Sequence, residues 1–178
     1  MNNEQSLHCI INEREVEAQE NLNMVVLDFL RHQQRLMGTK EGCREGDCGA
    51  CTILVGELLD GVVQYKSVNS CLMPLGDAEG KHLVTVEGIN QPSELNPIQK
   101  AFVDEGGTQC GFCTPGFLMS FTGYCINSQH HSLDGAVRAL DGNICRCTGH
   151  PPIKKAAVKV IEELNTSRST NGKSHLQH

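Results

Sequence analysis

The chain has 178 residues, ten of them cysteine and none of them tryptophan, and a formal net charge of −6. That length holds one ordinary domain or two small ones, and small domains often need a metal to hold them. The acidic balance argues against general nucleic-acid binding, and the scarcity of aromatics argues against a base-stacking platform. Met1-Asn2-Asn3-Glu4-Gln5-Ser6 carries neither the basic nor the apolar region of a secretory signal, and no apolar run reaches bilayer length, so no membrane span is expected. A reducing, cytoplasmic setting follows, in which many cysteines point to metal ligation rather than disulfides.

Leu7-His8-Cys9-Ile10-Ile11 reads as a strand, residues 12–15 as a turn, and Val16-Glu17-Ala18 as the returning strand. Cys9 falls in that apolar run and is read as a small core residue. Val25, Val26, Phe29 and Leu30 recur at helical spacing, which predicts one amphipathic helix over about residues 24–34, packed on the strands. Gly38 is its candidate stop.

Gly42-Cys43-Arg44-Glu45-Gly46-Asp47-Cys48-Gly49-Ala50-Cys51 follows, with Cys71 further on. Four residues separate Cys43 from Cys48 and two separate Cys48 from Cys51, the plant-type spacing for a 2Fe–2S cluster. Glycine suits a loop that must wrap a buried inorganic group at close backbone approach. A four-cysteine zinc site is the rival, although zinc sites usually read as two short Cys-x-x-Cys knuckles. Thr52-Ile53-Leu54-Val55 leaves the loop as a strand, Asp60-Gly61 is a hairpin turn signal, and residues 62–68 pair back and deliver Cys71. Leu83-Val84-Thr85-Val86 is a last short strand. This α+β arrangement over residues 1–88 looks like the β-grasp fold of plant-type ferredoxins.

Residues 88–95 read as a linker, and beyond it the pattern is helical. Asn96-Pro97 looks like an N-cap with proline at the first helical position. Cys110 and Cys113 form a Cys-x-x-Cys, and Thr114-Pro115 opens the next helix, with Phe117, Phe121, Tyr124 and Cys125 on its apolar stripe. Cys125 is read as packing. Ser132 caps a third helix that ends near Gly142. Cys145 and Cys147 form a Cys-x-Cys, and Pro151-Pro152 opens a last helix whose stripe runs from Ile153 to Leu164. Lys154, Lys155 and Lys159 are its solvated side. Four helices with short links predict a four-helix bundle over residues 89–165, with a disordered tail over 166–178 in which His175 and His178 are not ligands.

Cys110, Cys113, Cys145 and Cys147 make a second four-thiolate set. Spacing alone leaves a structural zinc clip open here. A thioredoxin-like pair is disfavoured because no βαβ pattern surrounds it, and Rieske ligation lacks its Cys-x-His motif.

The chain resembles the small iron–sulfur subunit of the molybdenum hydroxylases, the family of xanthine dehydrogenase and aldehyde oxidoreductase. The matching segments are Gly38-Thr39-Lys40-Glu41-Gly42-Cys43, the loop through Thr52, Val68-Asn69-Ser70-Cys71-Leu72, Thr85-Val86-Glu87-Gly88, and the stretches 109–116 and 142–149. The resemblance implies that the second set also holds a 2Fe–2S cluster. It implies that Cys43, Cys48, Cys51 and Cys71 hold the cluster nearer the flavin, and Cys110, Cys113, Cys145 and Cys147 the one nearer molybdenum. Gln109 and Cys147 match positions that contact the pterin. Family members usually have tyrosine where this chain has His150, which is read as a surface histidine beside a helix start.

No general base, nucleophile pair or phosphate loop is evident, so no catalytic residue is expected on this chain. The resemblance implies electron transfer from a molybdopterin-binding large subunit to an FAD-binding medium subunit, the flavin domain being expected on a separate chain. The segments around Val55-Gly56-Glu57-Leu58, Tyr65 and Cys71 look most like xanthine dehydrogenases, which favours purine hydroxylation. Aldehyde, carbon monoxide, nicotinate and aromatic acyl-CoA oxidation stay open. The readings from other classes are a free ferredoxin and a zinc-stabilised interaction module.

Overall fold

Two hairpins supply most of a five-stranded mixed sheet. The structure, a computed structural model, describes residues 4–90 and 93–171. Residues 1–3, part of the expected linker (Gln91 and Pro92), and 172–178 with His175 and His178 lie outside the described residues. Strands β1 (Glu4–Ile11) and β2 (Arg14–Asn21) pair antiparallel. Asn12 opens their turn at φ 56°, a left-handed conformation that asparagine tolerates. Along β1, Leu7, Cys9 and Ile11 are buried while Ser6, His8 and Ile10 face out, the period-two pattern of a half-buried strand.

Strands β3 (Thr52–Leu59) and β4 (Val62–Asn69) form the second hairpin. Its turn, Asp60-Gly61, takes positive φ at both positions (51° and 79°), the type I′ geometry that matches strand twist. The apolar run Ile53-Leu54-Val55 is buried continuously because β3 is covered on both faces. Ile53 and Val55 join the sheet core, while Leu54 lies under the later helix α3, close to Gly123.

Strand β5 (His82–Val84) inserts between the hairpins, parallel to β1 and antiparallel to β3, giving the order β2-β1-β5-β3-β4. It stops two residues short of the expected strand. The Thr85 N–H turns aside to Asn12 Oδ1 at 2.9 Å, and Val86–Ile89 then closes a 3₁₀ turn.

The expected helix over 24–34 is shorter and irregular. Helix α1 is Val26–Asp28, and it widens at once into a π-type turn, Phe29–Gln33. The wide turn is visible in the bond from Gln34 N–H to Phe29 O. The element serves two cores. Val26, Phe29 and Leu30 pack on the sheet, while Leu27 packs with Cys51 and Cys71. Its first free N–H groups are taken by the chain around Cys71: Val26 donates to Met73 O and Leu27 to Ser70 O.

The rest of the chain is helical. Helix α2 (Pro97–Asp104) opens with a capping box between Asn96 and Gln99. Helices α3 (Thr114–Asn127), α4 (Leu133–Ala139) and α5 (Pro151–Asn171) follow. Phe102, Phe117, Phe121, Ala136, Leu140, Ile153, Ala157 and Ile161 form their common core, and Cys125 packs against it. Helix α3 also lies on β3 and β4, so the helical part leans on the sheet.

The last helix runs past its apolar stripe, so residues 166–171, expected to be disordered, are helical. The Thr166 and Ser167 hydroxyls donate back to the carbonyls of Glu162 and Glu163. No helix among the described residues is long and apolar enough to cross a membrane.

Candidate metal centres

The first cysteine set is built by the loop between the π-type turn and β3, together with the end of β4. Cys51 immediately precedes β3 and Cys71 follows β4, and the cross-strand pair Thr52↔Asn69 holds them side by side. Ser70 fastens the pair: both its N–H (3.3 Å) and its hydroxyl (2.7 Å) donate to Cys51 O. The loop is pinned at several further points. Arg31 donates to Thr39 O at 2.7 Å, Lys40 N–H to Ala50 O at 3.2 Å, and Asn69 Nδ2 to Gly46 O at 2.6 Å. Arg44 bridges Asp28 and Glu41, each with a closest contact of 2.6 Å.

The sulfurs of this loop face backbone donors. The Cys43 N–H points at Cys48 Sγ (3.4 Å) and the Glu45 N–H at Cys43 Sγ (3.3 Å). The Glu45 N–H, with further help from Cys48, brings the Cys43 thiol down to about 7. Burial has the opposite effect on Cys51 and raises it to about 11. Cys51 and Cys71 are 2 % and 6 % exposed.

The second set comes from two turns between helices. Cys113 immediately precedes α3, with Cys110 three residues earlier, and Cys145 and Cys147 lie between α4 and α5. Cys110 and Cys147 are exposed, with sulfurs 3.6 Å apart, and Gln109 beside them is exposed too. Burial, reinforced by Cys145, pushes the Cys113 thiol up to about 12. At Cys145 burial pushes the same way, but the hydroxyl and N–H of Thr148 outweigh it and hold that thiol below its usual value. The hydrogen bond with Cys110 raises Cys147.

Cys110 and Cys147 meet sulfur to sulfur, the Cys43 N–H reaches the Cys48 sulfur, and the thiols of Cys51 and Cys113 are influenced most among the cysteines by Cys71 and Cys145 respectively. Among the described residues, no three His, Cys, Asp or Glu side chains converge on one point as a single ion requires. All ten cysteines are free of disulfides. Cys9 and Cys125 stand apart from both sets, and burial raises each to about 11.

The two sets meet. Ile144 N–H donates to Cys48 O (3.0 Å), and buried Asn143 donates through Nδ2 to Gly49 O (3.0 Å). Gly49 sits at φ 68°, and a Cβ there would collide with Asn143 Nδ2 and Gly142 O. Gly116 on α3 faces the Gly49 carbonyl so closely that a Cβ has no room. A cavity of about 290 Å³ runs between the loops, lined by Cys43 and Cys48 of the first set, all four cysteines of the second, and Phe112 and Ile144.

Sequence reasoning missed these organising residues. Asn69, Asn143 and Thr148 sit next to the cysteine motifs, where short polar side chains usually bind turn backbone. That adjacency was the available signal. Arg31 has none, since it acts on a loop eight residues away. His150 departs from its expected surface role: it is half-buried, and its Nε2 lies 3.2 Å from the Cys145 N–H.

Two family models match the chain in tandem. The 2Fe-2S iron-sulfur cluster binding domain matches residues 9–76, and a second 2Fe-2S binding domain matches residues 85–158. The chain is thus a protein of two 2Fe–2S binding domains. The xanthine dehydrogenase of Blastobotrys adeninivorans is 47 % identical over 135 residues, 74 % of this chain and 10 % of that protein. Aldehyde oxidase 1 of Rattus norvegicus is 41 % identical over 152 residues, 84 % of this chain and 11 % of that protein.

Among solved structures, quinoline 2-oxidoreductase from Pseudomonas putida 86 matches with a TM-score of 0.79 at 34 % identity, covering 92 % of this chain and 97 % of the matched chain. The aldehyde oxidoreductase of Desulfovibrio gigas matches with a TM-score of 0.80 at 34 % identity, covering 92 % of this chain and 17 % of that one. The chain belongs to the iron–sulfur proteins of the molybdenum hydroxylase family, that of xanthine dehydrogenase and aldehyde oxidoreductase. It spans about a tenth of the length of the curated relatives it matches.

Proposed function

We propose that this chain is the electron-transfer component of a molybdenum hydroxylase, passing single electrons through two 2Fe–2S clusters from a molybdopterin centre to FAD, both on partner subunits. The observation that carries the reading is the pairing of thiols. A 2Fe–2S cluster takes two ligands on each iron, whereas a zinc ion gathers all four round one point. Cys43 with Cys48 and Cys51 with Cys71 would hold the first cluster, and Cys110 with Cys147 and Cys113 with Cys145 the second.

The residues present fit such groups. Backbone N–H donors already face Cys43 and Cys48, and Thr148 faces Cys145 with two donors. Donors of this kind stabilise thiolate charge and set potentials. The architecture proposed is a β-grasp ferredoxin-like domain over residues 1–88 followed by a four-helix-bundle cluster domain over 89–165. The hydrogen bond from Ile144 to Cys48 O supports transfer between the sets, because it joins a backbone next to one ligand directly to another ligand.

The exposed Cys110 and Cys147 lie at an apolar opening flanked by Phe112 and Ile144, which are 46 % and 58 % exposed. This surface supports docking of the molybdopterin subunit, with Gln109 and Cys147 at the pterin. A freely diffusing ferredoxin would leave it bare. The similarity to xanthine dehydrogenases favours xanthine as the substrate of the complex, and the similarity to aldehyde oxidases makes aldehydes the second reading.

The test is oxidation of xanthine, with NAD or a dye as acceptor, by the complex purified natively through this chain. Turnover with molybdenum and flavin subunits present is the expected result. Intact partners that turn over an aldehyde but no xanthine would move the substrate class. Iron and labile sulfide should each reach about four per anaerobically purified chain, and a colourless, zinc-loaded chain would overturn the cluster reading.

A further inference from the structure

His150 belongs to neither cysteine motif, yet it touches the second set at its most tightly bonded member. It lies between Gly149 and Pro151, the first residue of α5, and its carbonyl accepts the Lys154 N–H at 3.0 Å. Its φ of 71° is left-handed, uncommon for any residue with a Cβ. The imidazole meets Phe117 edge-on, with centroids 5.6 Å apart and planes at 75°. Because a backbone N–H can only donate, Nε2 is the acceptor of the bond from Cys145 N–H. The neutral ring then carries its proton on Nδ1.

The remaining bonds close a circuit. The His150 backbone N–H donates to Thr148 Oγ1 at 3.2 Å. Thr148 in turn donates its hydroxyl (3.1 Å) and its N–H (3.4 Å) to Cys145 Sγ. Starting from Cys145, the chain of donors runs through the His150 ring, the His150 backbone and the Thr148 hydroxyl back to the Cys145 sulfur. A hydroxyl that accepts one bond donates the next more strongly, so the circuit sharpens the bond to sulfur. The sulfurs of Cys43 and Cys48, by contrast, meet backbone N–H groups alone in the bonds described above.

We infer that His150 is a positioning residue for the second cluster: by accepting the Cys145 N–H it holds the turn so that the Thr148 hydroxyl aims at Cys145 Sγ, and this raises the potential of that cluster relative to the first. The inference rests on the reading of Cys145 as a cluster ligand. A donor to the ligand sulfur stabilises the added negative charge of the reduced form. Removing the acceptor loosens that donor and makes the cluster harder to reduce.

The test is a dithionite redox titration of the full-length chain, purified anaerobically, with both reduced clusters followed by electron paramagnetic resonance. His150→Phe keeps the aromatic packing on Phe117 and removes the acceptor. His150→Gln offers its amide oxygen near the place of Nε2. Thr148→Val removes the hydroxyl. The expected result is a fall in the second cluster's one-electron equilibrium of about tenfold, or about 59 mV, for Thr148→Val. His150→Phe should show a smaller fall in the same direction with an altered line shape, and His150→Gln should stay near the wild type. The first cluster should not move in any variant.

A second cluster unchanged in His150→Phe overturns the inference, as does an equal shift of both clusters. Should His150→Phe fail to load the second cluster, a His150→Gln variant shifted as far as Thr148→Val overturns it instead. A wild-type chain with fewer than two cluster signals refutes the underlying function, and the inference with it. Two normal signals indifferent to His150 refute the inference alone.

Discussion

The two cysteine sets are framed by opposite means. The first hangs on a strand ladder: Cys51 and Cys71 flank the paired residues Thr52 and Asn69 and are almost wholly buried. The second hangs on helix ends, and half of it, Cys110 and Cys147, is exposed. A ladder fixes its two cysteines by many bonds far from the sulfur, and side chains such as Arg31, Arg44 and Asn69 pin the loop that carries the other two. Helix ends fix each cysteine through one or two local bonds, such as those of Thr148, and leave the sulfur open to a partner. Rigidity and accessibility are divided between the sets.

Removing one ligand from each set separates them most sharply. Cys51→Ser should abolish the first cluster and Cys110→Ser the second, each reducing iron from about four to about two per chain. Loss of both clusters in either variant, measured by iron content and paramagnetic resonance, would show that the sets do not load independently. The isolated chain treated with air and a chelator should lose the signal of the second cluster first, because Cys110 and Cys147 of that set are exposed.

Thiol chemistry of the cluster-free chain gives the next largest contrast. The Glu45 N–H lowers the Cys43 thiol to about 7, so its alkylation should rise with pH through that region and then level off. Cys9 and Cys125, raised by burial to about 11, stay protonated until far more alkaline pH. The more basic thiolate is the better nucleophile, which offsets part of the difference, so Cys43 should react about a hundredfold faster at pH 7. Mass-spectrometric mapping of alkylation rates checks this, and comparable rates at Cys9 would contradict its core position.

The seam between the sets is probed by Gly49→Ala. It adds a Cβ at a left-handed position against Asn143 and Gly142, and should destabilise the fold by about 2–4 kcal/mol in chemical denaturation. Asn143→Ala should do less. Gly49 O keeps its bonds from the Thr52 N–H and hydroxyl, so the loss stays near about 1 kcal/mol. Equal effects of the two variants would mean that the hydrogen bond, rather than the close approach, joins the two parts.

Much of the secondary structure was legible in the residues. The Asp60-Gly61 turn and the Asn96-Pro97 cap appear where local chemistry demands them, because each depends on neighbours within a few residues. The helix over 24–34 misled, since its apolar spacing serves two cores at once and the backbone widens to reach both. The last strand ended early because Thr85 bonds to Asn12, seventy-three residues away in sequence. The tail beyond residue 165 lacked apolar periodicity, yet residues 166–171 continue the last helix, with the Thr166 and Ser167 hydroxyls bonded to carbonyls one turn back.

The sequence by itself determined which eight cysteines form the candidate sets, in what order, and with what spacing, since ligand chemistry is written in residue type and local count. It also set Cys9 and Cys125 apart, by placing them on apolar stripes. Only the tertiary structure decided that the sulfurs of Cys110 and Cys147 meet, that Asn143 and Ile144 lock the second turn onto the first loop, and that His150 turns inward to Cys145. Those contacts join residues brought together by packing of helix on sheet and turn on loop, and no local pattern encodes the distance between them.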